Sequence, residues 1–388
     1  MRIVHVVPSY LPAVRHGGPI FAIHGLCRAL AARGHQVEVF TTNVDGPNNS
    51  PVPLGTGVEL DGVQIRYFPS YILRRLYWSP PLARALRASV TNCSVMHLHS
   101  VFLWPTWAAA GIARTAHIPY VISPRGMLVK DLIKRKSRAI KMAWIELVEK
   151  TNLKGASAIH VTSLIEATEI RRFGWSLPQI SMVPNGVEDI EAYDRDKVSA
   201  DVRAIGADQP LILSLGRISW KKGLDRLLRA IARTDVGKLA IVGPDDEKLT
   251  PQLERLACEL KLTDRVRFLP RTVLGADKEY LFRSAKVFVL PSYSENFANS
   301  ILEAMQRGVP VVLTPEVGAA EIVQECGGGL VVSGDPEPLG TAISRLIADP
   351  SFARAMGAAG QKHILEHYTW NQMAARMEGL YEMVQRGD

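Results

Sequence analysis

The chain has little of what would tie it to a covalent or metal framework. Among its 388 residues there are four cysteines, Cys27, Cys93, Cys258 and Cys326. They stand far apart and form no CxxC pair, which argues against a disulfide scaffold or a zinc site and fits a reducing cytosol. No apolar run reaches the roughly 18 residues a membrane-spanning helix needs. The N-terminal apolar run is too short for a signal peptide and reads as a first buried strand. Solenoid repeats, low-complexity tracts and a GxGxxG dinucleotide fingerprint are also missing. Any membrane contact is therefore expected to be peripheral, and an oxidoreductase is disfavoured.

The composition supports two folded domains. Hydrophobic residues make up 47% and charged residues 22% of the chain. That is enough apolar material for two cores. The net charge of +8 points to anionic partners without choosing among nucleic acid, nucleotide phosphates and an acidic membrane.

Short apolar runs alternate with segments of helical period. Residues 3–7, 37–42, 96–99, 120–123, 158–162 and 180–183 read as strands, and 20–32 and 104–116 as helices between them. The alternation breaks over the polar stretch 187–209, taken as a linker. It resumes with strands at 211–215, 239–242, 266–269, 287–290, 311–313 and 330–332. Continuous apolar strands alternating with helices imply parallel sheets covered on both faces. The expected architecture is α/β: two Rossmann-like, doubly wound domains, one over 1–190 and one over 205–368. Ligands in such sheets bind at the carboxyl ends of the strands.

Three segments carry candidate chemistry. In the first, Pro291-Ser-Tyr-Ser-Glu295-Asn-Phe-Ala-Asn-Ser-Ile-Leu-Glu303 leads from a buried strand into a helix near Asn299 or Ser300. A helix start offers free N–H groups and a positive dipole end suited to phosphate. Glu295 and Glu303 can accept hydrogen bonds from sugar hydroxyls. The competing reading makes Ser300-x-x-Glu303 a capping box that only closes the helix start. In the second, Gly216-Arg217 runs on to Lys222-Gly223 after a strand, where Arg217 and Lys222 can neutralise a diphosphate. Lys221 reads as solvated. The third is Gly17-Gly18-Pro19, which opens a helix after the first strand and lets a ligand approach the backbone.

Taken together and in this order, the segments resemble the retaining GT-B glycosyltransferases of family 4. Glu295…Glu303 matches their E-x7-E element and Gly308-Val-Pro-Val311 follows it. Gly216-Arg217…Lys222-Gly223 and Pro184-Asn185-Gly186-Val187 also match, so the likeness covers nearly the whole chain. The resemblance implies a GT-B fold with two domains facing across a cleft. It implies a metal-independent, hexosyltransferase-type enzyme without a cofactor, moving a sugar from a UDP- or GDP-sugar to a glycan or lipid-linked acceptor. Bacterial-type exopolysaccharide or lipopolysaccharide synthesis follows at family level.

The implied roles fall residue by residue. Arg217 and Lys222, beside Gly216, bind the donor diphosphate, and Glu303 the ribose. Glu295, Asn296, Phe297, Ala298 and Asn299 contact the sugar, with Gly17 and Gly18 opposite. His99, in His97-Leu-His99, lies beside the reacting sugar, or else is a strand-end histidine satisfied by a carbonyl. Catalytic roles fall to His99, Glu295, Arg217 and Lys222, with acceptor attack on the face the leaving group departs. In two places the sequence departs from the family: Ala298 stands where it has glycine, and Ser94 where it often has aspartate. Asp194-Arg-Asp196 spells a DxD metal motif but lies in the linker and is set aside.

The acceptor side is expected on the first domain. Arg125 and Gly126, after a strand end, are candidates for an acceptor phosphate. Basic and aromatic residues interleave over 71–87, and 130–141 is strongly basic and followed by an apolar helix with Trp144. Both suit an anionic membrane; a solvated charged face is the alternative. The chain is thus expected in the cytoplasm, or peripheral on the inner face of the membrane. The rivals are a GT-B nucleotide-sugar epimerase, which needs no acceptor, and a nucleic-acid-binding protein. The basic clusters match no nucleic-acid reader motif, so no nucleic acid is expected as partner. The resemblance further implies that a last helix, within 369–388, crosses back onto the first domain. Its apolar residues, spaced three and four apart, form one stripe.

Overall fold

Apolar β-branched runs flanked by amphipathic helices build two parallel sheets. A computed structural model describes residues 1–14, 17–133, 142–190, 192–207 and 209–387. The strands of the first sheet and its margin are β1 (Arg2–Ser9), β2 (Gln36–Thr42), β3 (Val44–Asp45), β4 (Asn48–Asn49), β5 (Gly57–Leu60), β6 (Val63–Phe68), β7 (Val95–His99), β8 (Tyr120–Ser123), β9 (Ala158–Val161) and β10 (Ile180–Met182). Among the described residues they form one sheet in the order β10-β9-β8-β7-β1-β2-β6-β5, with β3 and β4 a separate small hairpin. Neighbours in the large sheet are parallel except β5 and β6. The second sheet holds β11 (Leu211–Leu215), β12 (Lys238–Val242), β13 (Val266–Leu269), β14 (Ala285–Leu290), β15 (Val311–Leu313) and β16 (Gly329–Val331). Its order is β13-β12-β11-β14-β15-β16, and all its pairings are parallel.

Each sheet reverses direction once. In the first the chain goes from β1 outward to β6 and β5, then returns to β7 and fills the other side. In the second, β11 to β13 fill one side and β14 to β16 the other. The two switch points, β1/β7 and β11/β14, are where loops diverge at the strand ends and leave room for a ligand.

Two expectations need correction. Strands β5 and β6 are absent from the sequence reading because β6, Val-Gln-Ile-Arg-Tyr-Phe, interrupts its apolar residues with Gln64 and Arg66. The polar stretch 187–209 is more than a linker. It contains the helix Ala200–Ala207, whose Val202 and Ile205 are buried, and it belongs to the second unit.

The chain divides into two compact units, Met1–Gly186 with Trp370–Asp388, and Val187–Thr369. Within the second, Val187 and Thr369 form an isolated parallel bridge. Within the first, Gly186 has no room for a side chain, since a Cβ there would lie 2.8 Å from the Trp370 ring and backbone nitrogen. The helix Trp370–Arg386 buries Trp370, Met373, Met377, Leu380, Tyr381 and Val384. It packs against the helix Gly18–Ala32. Glu378 on its margin pairs with Arg33 at 2.6 Å and His35 at 3.0 Å. Met377 is fully buried, so Met377→Ala leaves a cavity. We expect a loss of about 2–5 kcal/mol in denaturant unfolding, with exchange protection lost first in the helix Gly18–Ala32. Unchanged stability would contradict this packing.

Candidate active site

In the second unit, two glycines set how closely the loops around the end of β11 approach, Gly223 on the β14 side and Gly243, after β12, on the β12 side. Gly223 has φ 62° and Gly243 φ 145°. A Cβ on Gly223 would overlap the Pro291 carbonyl, and one on Gly243 the Gly216 carbonyl. Only glycine lets the loop after β11 lie against the end of β14. The contact is fastened by the Tyr293 N–H donating to the Lys221 carbonyl at 2.7 Å. Tyr293 O–H also donates to Asp225 at 2.8 Å, and Arg226 lies 3.6 Å over the Tyr293 ring.

This approach brings Lys222 Nζ to 2.5 Å from Glu295 Oε2. The Glu295 backbone is pinned on both sides. Its N–H donates to the Glu316 carbonyl and its carbonyl accepts from Gly318 N–H, both at 3.0 Å. Arg217 is exposed and makes no ion pair among the described residues. Glu303 Oε1 accepts from Lys278 Nζ at 2.7 Å. The helix holding Glu303 is Asn299–Gln306, with Ala298 as N-cap and no side-chain cap. Ser300 therefore lies inside the helix, and Glu303 is paired with another helix rather than closing a capping box.

Ala298 adopts φ 76° and ψ 74°. A left-handed conformation costs a non-glycine residue about 1–2 kcal/mol. This is the position where the resembled family has glycine. Phe297 and Ala298 are buried, whereas Asn296 and Asn299 both have polar partners. We expect Ala298→Gly to raise stability by up to about 1 kcal/mol, since strain relief exceeds the extra entropy of glycine. A clear loss in thermal midpoint would show that the methyl group is a packing contact instead.

The first unit carries a buried polar cluster at its own switch point. Register places His5 beside His97, and His99 beside Ser123. Their side chains, with His160, are buried. One chain of hydrogen bonds has a fixed direction because its last acceptor is a carbonyl. His160 Nε2–H donates to the Val183 carbonyl at 2.8 Å. His160 Nδ1 must then accept from Ser123 O–H at 2.6 Å. Ser123 Oγ in turn accepts from His97 Nε2–H at 2.6 Å, and His97 Nδ1 accepts from Tyr381 O–H at 2.6 Å. A second chain starts from a cation that can only donate. Arg125 Nη2–H reaches His99 Nδ1 at 3.3 Å, and His99 Nε2–H then donates to His5 Nδ1 at 2.9 Å. His5 Nε2 is buried with no partner among the described residues.

These assignments need neutral imidazoles, and the surroundings supply that. Burial, then the Arg125 charge, pulls His5 and His160 down to about 3. Burial and the neighbouring rings hold His97 well below its usual value, and burial with Arg125 does the same for His99. Although the His5, His97 and His99 nitrogens cluster closely enough to ligate one metal ion, both His97 nitrogens are already bonded and Arg125 stands beside the group. The cluster therefore reads as a hydrogen-bonded relay.

The loops around it are held by buried carboxylates. Glu166 accepts from Gly126 N–H at 2.6 Å and Thr162 N–H at 2.9 Å. Glu149 accepts from Phe102 N–H at 2.5 Å and the Trp144 indole N–H at 2.8 Å. Ser100, Phe102 and Arg125 have φ of 73°, 63° and 56°. Three left-handed, non-glycine residues at the ends of β7 and β8 mark backbone strain of the kind found at functional sites. Arg125 is turned inward, with Nη1 3.1 Å from Asn185 Oδ1. Gly17 has φ 59° and open space where a Cβ would stand.

The structure thus brings Gly216, Arg217, Lys222, Glu295 and Glu303 to one sheet edge, and places His99, Arg125 and Gly126 at another. Sequence singles out neither Glu149, Glu166 nor His160, and reads Tyr381 only as part of the last helix's apolar stripe, because their bonds to Phe102, Gly126, Ser123 and His97 join positions distant in the chain. In the unfolded chain the histidines return to about 6.5. Between there and about 3 the unfolded state binds more protons. Stability is then retained above 6.5 and lost as pH falls, by up to about 1.4 kcal/mol per pH unit for each histidine. Denaturation midpoints at about pH 7.5, 6 and 5 should fall in that order; a flat profile would contradict buried neutral histidines.

Known families fit this arrangement. The model for glycosyl transferases group 1 matches residues 197–363, and that for the glycosyl transferase 4-like domain matches 17–186. Between them the matches cover most of both units, and the chain belongs to the group 1 glycosyltransferases, with the GT-B fold. An uncharacterized glycosyltransferase of Methanocaldococcus jannaschii is 27% identical, with 99% of this chain and 98% of that protein covered. A lipopolysaccharide core biosynthesis glycosyltransferase of Rhizobium meliloti is 28% identical over 62% of this chain and 75% of its own. Among solved structures, Anabaena HepE in complex with UDP and glucose superposes with a TM-score of 0.75 at 18% identity, covering 98% of this chain and 99% of that one. The chain is thus a glycosyltransferase.

Proposed function

We propose that the enzyme is a retaining, metal-independent hexosyltransferase that takes its sugar from a UDP- or GDP-sugar. The acceptor is a glycan or lipid-linked molecule in exopolysaccharide or lipopolysaccharide assembly. The observation that carries this reading is the charge pattern at the ends of β11 and β14. Arg217 is exposed with no ion pair among the described residues, and Lys222 is held on Glu295 at 2.5 Å. A diphosphate entering there takes both cations. Exchange of Lys222 from carboxylate to phosphate frees Glu295 to accept hydrogen bonds from sugar hydroxyls. Glu303, on Lys278, is placed to accept from the ribose. The loop 296–299 flanks the sugar, and the start of the helix Asn299–Gln306 adds a positive dipole end.

Breaking the glycosidic bond leaves negative charge on the departing diphosphate and positive character on the sugar. Fixed cations aimed at the first of these lower the barrier without reorganisation. The acceptor attacks from the face the diphosphate leaves, and a donor phosphate oxygen takes its proton, so the anomeric configuration is kept. In the first unit, Gly17, Gly18 and His99 keep the roles the resemblance implies, with His99 held in one tautomer by Arg125. Arg125 and Gly126 remain the acceptor-side candidates. The UDP and glucose of the Anabaena structure and the lipopolysaccharide role of the Rhizobium relative support the donor class and the pathway type.

No helix among the described residues is long and apolar enough to cross a membrane. We place the enzyme in the cytoplasm, approaching the inner face of an anionic membrane through the basic, aromatic segment 71–87. Of the segment 130–141, Lys134, Arg135, Lys136, Arg138 and Lys141 lie outside the described residues.

Arg217→Ala and Lys222→Ala are each expected to weaken nucleoside diphosphate binding by about 10- to 150-fold, from about 1.5–3 kcal/mol per lost charge-assisted contact. Calorimetric titration with the thermal midpoint as a fold control checks this. Unchanged affinity in the double variant would contradict the assignment.

A further inference from the structure

The helices on either side of β7, Pro80–Ser89 and Trp104–Thr115, pack side by side in the first unit. Their outer surfaces leave a groove of about 740 Å³. That lies within the roughly 300–1,000 Å³ usual for small-molecule sites. Its walls include Ala83, Val90, Trp104, Trp107 and Ile112. Gly111 also lines it, and a Cβ there would meet nothing within 4 Å.

Charge along the groove has one sign. Arg84 and Arg87 are the charged residues of its described lining. They stand three apart on one helix, so they share a face, and neither makes an ion pair among the described residues. The aromatic wall is anchored from outside, by Trp78 against Trp104 at 6.4 Å and Trp144 against Trp107 at 6.2 Å between ring centroids. Trp107 is still 43% exposed. The segment leading into the helix Pro80–Ser89 presents Tyr71, Ile72 and Leu73 to solvent, 60–68% exposed. Arg74 holds that segment by bonding to Gly46, Asn48 and Asn49.

We propose that this groove takes one acyl chain of an anionic phospholipid drawn from the bilayer, with Arg84 and Arg87 on its phosphate. An apolar trough whose described charged residues are both cations complements an amphiphile with a negative head, and guanidinium forks match phosphate oxygens. A helix after a parallel strand starts at the strand's carboxyl edge. The Trp104 end of the groove, five residues past His99, therefore opens beside the edge that carries the first unit's polar cluster. This inference rests on the membrane approach proposed above and adds capture of a chain to attraction at the surface.

The test uses the full-length protein with phosphatidylglycerol or phosphatidylcholine vesicles whose acyl chains are brominated at mid-chain. Phosphatidylglycerol should bind and quench tryptophan emission, and Trp107→Phe should remove most of that quenching. Gly111→Leu fills the groove and favours the helix. It should keep charge-driven binding, lose the quenching and leave the thermal midpoint intact. Arg84→Gln with Arg87→Gln should weaken phosphatidylglycerol binding by about tenfold or more. Binding with undiminished quenching in Gly111→Leu would overturn the groove while the membrane approach stands. Failure of the wild type to bind phosphatidylglycerol would overturn both, and equal binding to phosphatidylcholine would overturn the anionic headgroup.

Discussion

A parallel strand hands its chain on at its carboxyl end, and where two neighbours send their loops in opposite directions nothing closes the gap. At β11 and β14 that gap is narrowed by a contact only glycine permits, Gly223 under the Pro291 carbonyl, while Gly243 after β12 sits under the Gly216 carbonyl on the other side of β11. The candidate donor site depends on this approach. It lays the Lys222 loop against the Glu295 loop, where cation and carboxylate meet at 2.5 Å. It leaves Arg217 exposed at the same edge, with no ion pair among the described residues. A diphosphate bound there, as proposed, would exchange partners among groups already in place, so that little ordering entropy would be lost on its arrival.

The first unit meets the same topological problem with buried polar groups instead of glycines. Four histidines, a serine, a tyrosine and an arginine share its switch point, and burial of such groups is tolerated only where hydrogen bonds are made. Two one-way chains satisfy nearly all of them. One runs from Tyr381 to the Val183 carbonyl and the other from Arg125 to His5. Tyr381 comes from the last helix, so the C-terminal segment both covers the helix Gly18–Ala32 and supplies the first proton donor of a network that ends 198 residues earlier in sequence, at Val183. The strained turns at Ser100, Phe102 and Arg125 are held by Glu149 and Glu166, whose carboxylates accept from the Phe102, Gly126 and Thr162 backbone N–H groups and the Trp144 indole N–H.

Much of this was legible in sequence because parallel strands buried on both faces are written as unbroken apolar runs. Strands such as Tyr120–Ser123, Leu211–Leu215 and Val266–Leu269 match their runs to the residue. Strand β6 was missed since Gln64 and Arg66 break its run, and the helix Ala200–Ala207 was hidden in a polar stretch. Within the candidate donor site, Gly216, Arg217, Lys222 and Glu295 stood out because each follows a strand at short distance, and Glu303 because it closes the E-x7-E spacing at a helix start. The lysines that hold the two glutamates could not be paired from spacing alone. Lys278 lies 25 residues before Glu303, and Lys222 lies 73 before Glu295. The histidine relay was least visible, as nothing in His5, His97, His99 or His160 announces which will be neighbours until the strand order is known.

The central claim is that the β11/β14 edge receives the donor diphosphate. Hydrogen exchange on the full-length protein, with UDP and with GDP, each in the presence of a chelator, tests it most directly. The account predicts that one of them protects residues 216–223 and 295–303, and that Arg217→Ala abolishes this protection. Protection confined to the first unit, or binding that requires a divalent metal, would contradict it.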